Sequence, residues 1–158
     1  MNKVIAICGK VASGKTYYAM MIKEDMNAVL LSNDEVLKHL FPGTHPNDDP
    51  KLMERINAYL LTKAEEITEN GCDVILDWGF WTKKERRALT DRFDGRHIPI
   101  EWIYLDIDEK TWKEHIKQRN LNNNLNDYDY QLPEQVIKKA NDLFEIPDKA
   151  EIDIWIKD

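Results

Sequence analysis

At 158 residues with a formal net charge of −7, the chain is sized for one domain with a real core and is too small for a motor with accessory domains. Charged residues make up 32% of it, and no apolar run approaches the roughly 18 residues of a membrane span, so a soluble protein without a membrane partner is expected. The acidic balance disfavours a long nucleic-acid partner, the interrupted start "MNKVIAICGK" disfavours a signal peptide, and two isolated cysteines, Cys8 and Cys72, fit a reducing cytoplasm.

"KVIAIC" (residues 3–8) is an apolar, β-branched run that stops at Gly9, the pattern of a buried strand. Gly9, Gly14, Lys15 and Thr16 follow at once in the spacing G-x-x-x-x-G-K-T, and Ala19, Ile22 and Met26 then predict a helix over residues 15–26. "AVLLS" (28–32) reads as a second strand, after which Ser32 and Glu35 are spaced as a capping box for a helix to about Leu40. Beyond the turn-rich residues 41–50, Leu52, Ile56, Tyr59, Leu60, Ala64 and Ile67 mark a long amphipathic helix ending near Asn70-Gly71.

"DVILD" (73–77) is a third strand, and Thr82 with Glu85 predicts a capped helix towards Phe93. "PIEWIYLDI" (99–107) is a fourth strand, with Asp108 capping a helix that carries Trp112 and Ile116 and ends near Arg119. The asparagine-rich residues 120–130 lack periodicity and read as a loop or flap, giving an expected lid at about 119–132. Pro133 suits the first turn of a helix bearing Val136, Ile137, Ala140, Leu143 and Phe144, and "EIDIWI" (151–156) alternates as a last strand. Strands alternating with helices imply a single α/β domain: a parallel sheet covered on both faces, with its site beyond the strands' carboxyl ends.

The loop has a direct mechanism. Its glycines let backbone N–H groups of residues 11–16 surround phosphates, so Gly9, Val11, Ala12, Ser13, Gly14, Lys15 and Thr16 are expected to bind ATP. Lys15 would reach the β and γ phosphates and Thr16 would offer its hydroxyl to Mg²⁺. No Asn-Lys-x-Asp or Thr-Lys-x-Asp element is present to read guanine, which counts against a GTPase switch.

The loop names a donor and leaves the acceptor to other residues. Asp34 falls just past the second strand in the first turn of a helix, where it either caps that helix or takes the proton of an attacking hydroxyl. Asp77 closes an apolar strand, the position of a carboxylate directed at Mg²⁺, its waters or the acceptor. Trp78 beside it either packs in the core or stacks on a planar substrate, and Arg86 is either a surface charge or part of the site. Arg119, entering the flap, either interacts with its helix dipole or clamps the transferring phosphate. Histidines 39, 45, 97 and 115 show no ligand spacing and are read as incidental.

Taken together, "GKVASGKT", "SNDEVLKHLF", "VILDWGFWTKKERRAL", "WKEHIKQRN" and "FEIPDKAE" resemble the small P-loop predicted kinases of the AAA-type ATPase group, which include zeta toxins, chloramphenicol phosphotransferases and polynucleotide kinase domains. The resemblance implies a three-layer P-loop NTPase with a nucleoside-kinase-like five-stranded parallel sheet in the order 2-3-1-4-5. It also implies that Asp34 activates the acceptor hydroxyl, that Arg119 is the lid arginine and that Arg86 is a recurrent arginine after the aromatic stretch. Polynucleotide kinases hold nucleic-acid phosphate with an arginine shortly after the catalytic aspartate; this chain offers Lys38, which lacks the bidentate fork. The expected activity is therefore transfer of the γ-phosphate of ATP, with Mg²⁺, to a hydroxyl of a small molecule. Its alternatives are a nucleic-acid 5′-hydroxyl kinase or a nucleotide-dependent ATPase switch, and the oligomeric state is left open.

Overall fold

The computed structural model describes residues 1–121 and 132–157. Its strands, β1 (Val4–Cys8), β2 (Val29–Ser32), β3 (Val74–Asp77), β4 (Ile100–Asp106) and β5 (Ile154–Lys157), form one parallel sheet ordered β2-β3-β1-β4-β5, the order the resemblance implies. Helices α1 (Lys15–Met26), α2 (Asn33–Leu40), α3 (Pro50–Glu69), α4 (Lys83–Asp94), α5 (Glu109–Leu121) and α6 (Glu134–Leu143) join and cover it.

The central strand explains its own composition. Alternate β1 residues enter opposite cores: Val4, Ala6 and Cys8 pack with Ala64 of α3 and with Leu89 and Phe93 of α4, and Ile5 and Ile7 pack with Ala19 of α1. All five residues are completely buried, so β1 reads as an unbroken apolar run with no polar alternation. Among the described residues no helix is long and apolar enough to cross a membrane.

Local signals set the helix starts. Thr82 Oγ1 accepts from the Glu85 amide at 3.1 Å and Glu85 returns the bond to the Thr82 amide at 3.0 Å, completing the box. Ser32 accepts from the Glu35 amide at 3.3 Å, and Asp108 Oδ1 accepts from Thr111 at 2.9 Å. Two boundaries differ from expectation. Pro133 sits one residue outside α6, in extended backbone (φ −59°, ψ 150°), rather than within its first turn. The last strand begins at Ile154, because residues 149–151 form a 3₁₀ turn closed by reciprocal Asp148 and Glu151 bonds, and Glu151 is committed to Arg86.

Most of the expected lid, residues 122–131, lies outside the described residues. At its base Asn120 joins α5 to the following segment, accepting from the Leu132 amide at 2.7 Å and donating to the Leu132 carbonyl at 2.9 Å. Because all strands run parallel, the segments after β1, β2 and β3 leave from one edge, and the register pairs Ser32 with Asp77. That edge is where the loop at residues 9–16 meets Asp34 and Asp77.

Candidate active site

The loop between β1 and α1 bends through two left-handed residues, Ala12 (φ 60°) and Gly14 (φ 95°). Such backbone turns successive N–H groups inward, and holding a non-glycine residue there costs roughly 1–3 kcal/mol that the surrounding fold must offset. Gly9 is needed for a different reason. A Cβ at residue 9 would lie 2.7 Å from Ser13 Oγ, so any larger residue would force that hydroxyl to shift.

Lys15 folds back over the loop, donating from Nζ to the carbonyls of Gly9 at 3.0 Å and Lys10 at 2.7 Å. Burial lowers its pKa, while Asp77, Cys8 and Asp34 hold it charged and Arg119 opposes them. The loop lysine, both carboxylates and the α5 arginine thus share one electrostatic neighbourhood. Thr16 Oγ1 donates to Asp77 Oδ2 across 2.8 Å. Asp77 is only 5% exposed, and burial raises its pKa against the opposing effects of Lys15 and the Thr16 hydrogen bond.

A buried carboxylate held against a hydroxyl is a hard-oxygen pair suited to Mg²⁺. Among the described residues no group of three or more His, Cys, Asp or Glu is placed to hold a metal ion. An ion held by Thr16 and Asp77 would need further ligands, which magnesium on a nucleotide usually takes from water and phosphate.

These residues line a cleft of about 1070 Å³. Val11, Ala12, Gly14, Lys15 and Thr16 form its floor, with Asp34, Asp77, Trp78 and Arg119 on its walls. Gly9 and Ser13, expected among the ATP-binding residues, do not border the cleft, and neither does Lys38. Trp78 combines both roles considered for it: it borders the cleft while packing with Leu37, Ile56 and Leu60.

Arg86 is the main departure. It is 1% exposed and lies outside the cleft wall, so it is neither the surface charge nor the substrate-binding site residue considered for it. Its guanidinium donates to Glu151 Oε1 at 3.1 Å, the Phe80 carbonyl at 2.9 Å and the Glu145 carbonyl at 2.9 Å. The aromatic stretch and the "FEIPD" element are thereby tied together, a link strengthened by the Glu145 amide donating to the Trp81 carbonyl at 2.7 Å. Phe80 is held in left-handed backbone (φ 47°) and the flanking indoles Trp78 and Trp81 face the cleft.

Cys8 lies beside this arginine, fully buried, and burial pushes its thiol up to about 11 although Arg86 and Lys15 favour the thiolate. A thiol-reactive disulfide reagent at pH 8 is expected to leave Cys8 unmodified in the native protein and to reach it only in denaturant. A Cys72→Ser variant that still reacts when native would contradict the burial.

Several cleft residues escaped the sequence reading. His45 and His115, read as incidental, both border it; burial lowers the His45 pKa against Asp48, with Arg119 lowering it further. His115 Nδ1 lies 3.2 Å from the Ala12 carbonyl of the loop. Met53, Asn57 and Leu61 recur every four residues on α3, the signal of one helix face, and that face looks into the cleft.

A family model described as an AAA domain matches residues 4–147. The chain belongs to that family. No functionally curated protein matches its sequence. Among solved structures, the AAA-domain chain is similar to a sugar kinase from Janibacter sp. HTCC2649, with a TM-score of 0.66, 14% identity, and coverage of 99% of this chain and 86% of that one. It is also similar to Kti12 of Chaetomium thermophilum in complex with ADP-AlF3, with a TM-score of 0.69 and 14% identity over 98% of this chain and 87% of the other. A gluconokinase from Sinorhizobium meliloti 1021 aligns with a TM-score of 0.61 and 14% identity over 98% and 81% of the two chains. At this identity the likeness establishes the P-loop kinase fold; the chemistry has to be argued from the site.

Proposed function

We propose that this protein transfers the γ-phosphate of ATP to a hydroxyl of a small molecule. The observation that carries the reading is the convergence, at one edge of a parallel sheet, of a phosphate loop, a Thr16–Asp77 hydrogen bond of 2.8 Å and Asp34 on the wall of the same cleft. A hydrolytic switch needs the first two and has no use for a further carboxylate on an acceptor wall.

Loop amides and Lys15 hold the β and γ phosphates at the positive end of α1. Magnesium, when bound at Thr16 and Asp77, neutralises charge on the transferring group. Asp34 orients the acceptor hydroxyl and takes its proton as oxygen bonds to the γ phosphorus and the bond to the β-phosphate oxygen breaks, releasing ADP. Arg119 stabilises charge on the phosphoryl oxygens in flight. The sugar kinase and the gluconokinase among its structural neighbours favour a small acceptor, as does the net charge of −7.

The test is to incubate the protein with γ-labelled ATP, magnesium, and either a fractionated metabolite pool or 5′-hydroxyl oligonucleotides. Label is expected in a small-molecule fraction. Label confined to oligonucleotides would replace the acceptor, and label released only as phosphate would replace the reaction by hydrolysis.

A further inference from the structure

Helix α5 reaches the phosphate loop through two side chains on one of its faces. Trp112 is 6% exposed and its Nε1 donates to the Val11 carbonyl at 2.7 Å, while His115, three residues further along, borders the cleft with Nδ1 3.2 Å from the Ala12 carbonyl. Opposite a carbonyl, that ring nitrogen donates only when it carries the proton. Lys10 places Nζ 4.7 Å from the centre of the Trp112 ring, and Val11 and Ala12 pack against the cluster of Trp112, Ile116 and Leu132. The cluster thus engages three consecutive loop residues.

What these contacts fix is the backbone at Ala12. The peptide units on either side of its Cα carry the two carbonyls held by α5, and clamping both units sets the φ and ψ between them. The left-handed φ of 60° at Ala12 is thereby restrained from outside the loop, as strained backbone at a functional site requires. In a trans peptide the N–H points opposite to the carbonyl of the same unit. The Ser13 N–H, opposite the Ala12 carbonyl, donates to the Lys10 carbonyl at 3.1 Å and closes the loop on itself. The Ala12 N–H, opposite the Val11 carbonyl, is turned away from Trp112, in a residue that borders the cleft.

A buried indole needs a partner for its N–H, and many polar atoms could serve. Here the partner is the one carbonyl whose peptide unit also carries the Ala12 amide. Resting on the reading of this loop as a nucleotide site, and independent of the acceptor, we propose that Trp112 is a positioning residue for phosphate binding: its N–H, supported by His115, aims the Ala12 amide at the phosphates of the nucleotide. Arg119, four residues beyond His115 on α5, also borders the cleft, so one helix holds both the loop backbone and the phosphate clamp.

The test is calorimetric titration of wild type, Trp112→Phe and His115→Ala with MgATP, each well below its melting temperature. Phenylalanine keeps a ring to pack with Ile116 and Leu132 and removes the N–H. Trp112→Phe is expected to raise the Kd for MgATP about tenfold, equivalent to about 1.4 kcal/mol. His115→Ala, at an exposed position, is expected to raise it about threefold. A side chain that only packs would lower Tm on substitution and leave the Kd of the folded protein unchanged. A Kd within about twofold of wild type in folded Trp112→Phe would therefore overturn the inference and leave nucleotide binding standing. If Trp112→Phe does not fold, His115→Ala decides, and wild-type affinity there overturns the assignment. Wild-type protein that binds no MgATP would remove the reading of the loop and this inference with it.

Discussion

Replacing Asp34 by Asn is expected to lower phosphoryl transfer by about 10²–10⁴-fold, the contribution typical of a positioned general base, while ATP still binds. The substitution keeps size and hydrogen-bonding shape and removes the charge that accepts the proton. Asp34 sits in the first turn of α2, where the positive end of the helix favours a carboxylate, and it shares the cleft with the loop and Asp77. Removing its charge also withdraws one of the groups that hold Lys15 protonated against burial, so part of the loss would appear as weaker γ-phosphate contact. Single-turnover transfer with calorimetric ATP titration separates the two effects. Transfer at the wild-type rate in a folded Asp34→Asn protein would strip Asp34 of the role.

The second large effect is on stability. Arg86→Met is expected to destabilise the fold by about 3–5 kcal/mol, the combined loss of a partly buried ion pair and of two hydrogen bonds to carbonyls. For a chain of this size that corresponds to a fall in Tm of about 6–20 °C. The reasons lie in the donors that would vanish: Glu151 loses its partner at 3.1 Å, and the Phe80 and Glu145 carbonyls each lose a bond at 2.9 Å. Phe80 would keep its left-handed backbone without the contact that fixes its carbonyl. Arg86→Lys retains the charge and still loses the planar fork, so an intermediate loss of about 1–3 kcal/mol is expected. Thermal melting of the three proteins checks the series, and a melting point of Arg86→Met within about 2 °C of wild type would show that the network contributes little.

These two arginine and aspartate positions mark the division between what a chain pattern carries and what it does not. Asp34 was recognisable because its position depends on short-range features: a strand end, a capping serine and the first turn of a helix, all within a few residues. Arg86 was recognisable as a recurrent residue, yet its direction was not. Its partners are Phe80, Glu145 and Glu151, two of them about sixty residues away, and sequence spacing holds no information on which side of α4 meets them. The late start of β5 has the same origin, because Glu151 faces Arg86 in place of extending the strand. Asn57 was hidden for a related reason: an asparagine on an amphipathic helix reads as solvated surface until α2 is laid against α3.

By itself the sequence determined the phosphate loop, the alternation of strands and helices, the caps at Ser32, Thr82 and Asp108, and, through resemblance, the strand order. Each of these follows from contacts between near neighbours, from hydrophobic period or from a motif whose backbone geometry requires glycine at fixed places. Only the tertiary structure decided that Arg86 belongs to the core, that Thr16 and Asp77 meet at 2.8 Å, and that Asn33 and Asn57 join across two helices at the cleft. Those pairings depend on how a twisted parallel sheet brings distant chain segments to one edge, a three-dimensional constraint that hydrophobic patterning satisfies without recording which polar groups will face each other.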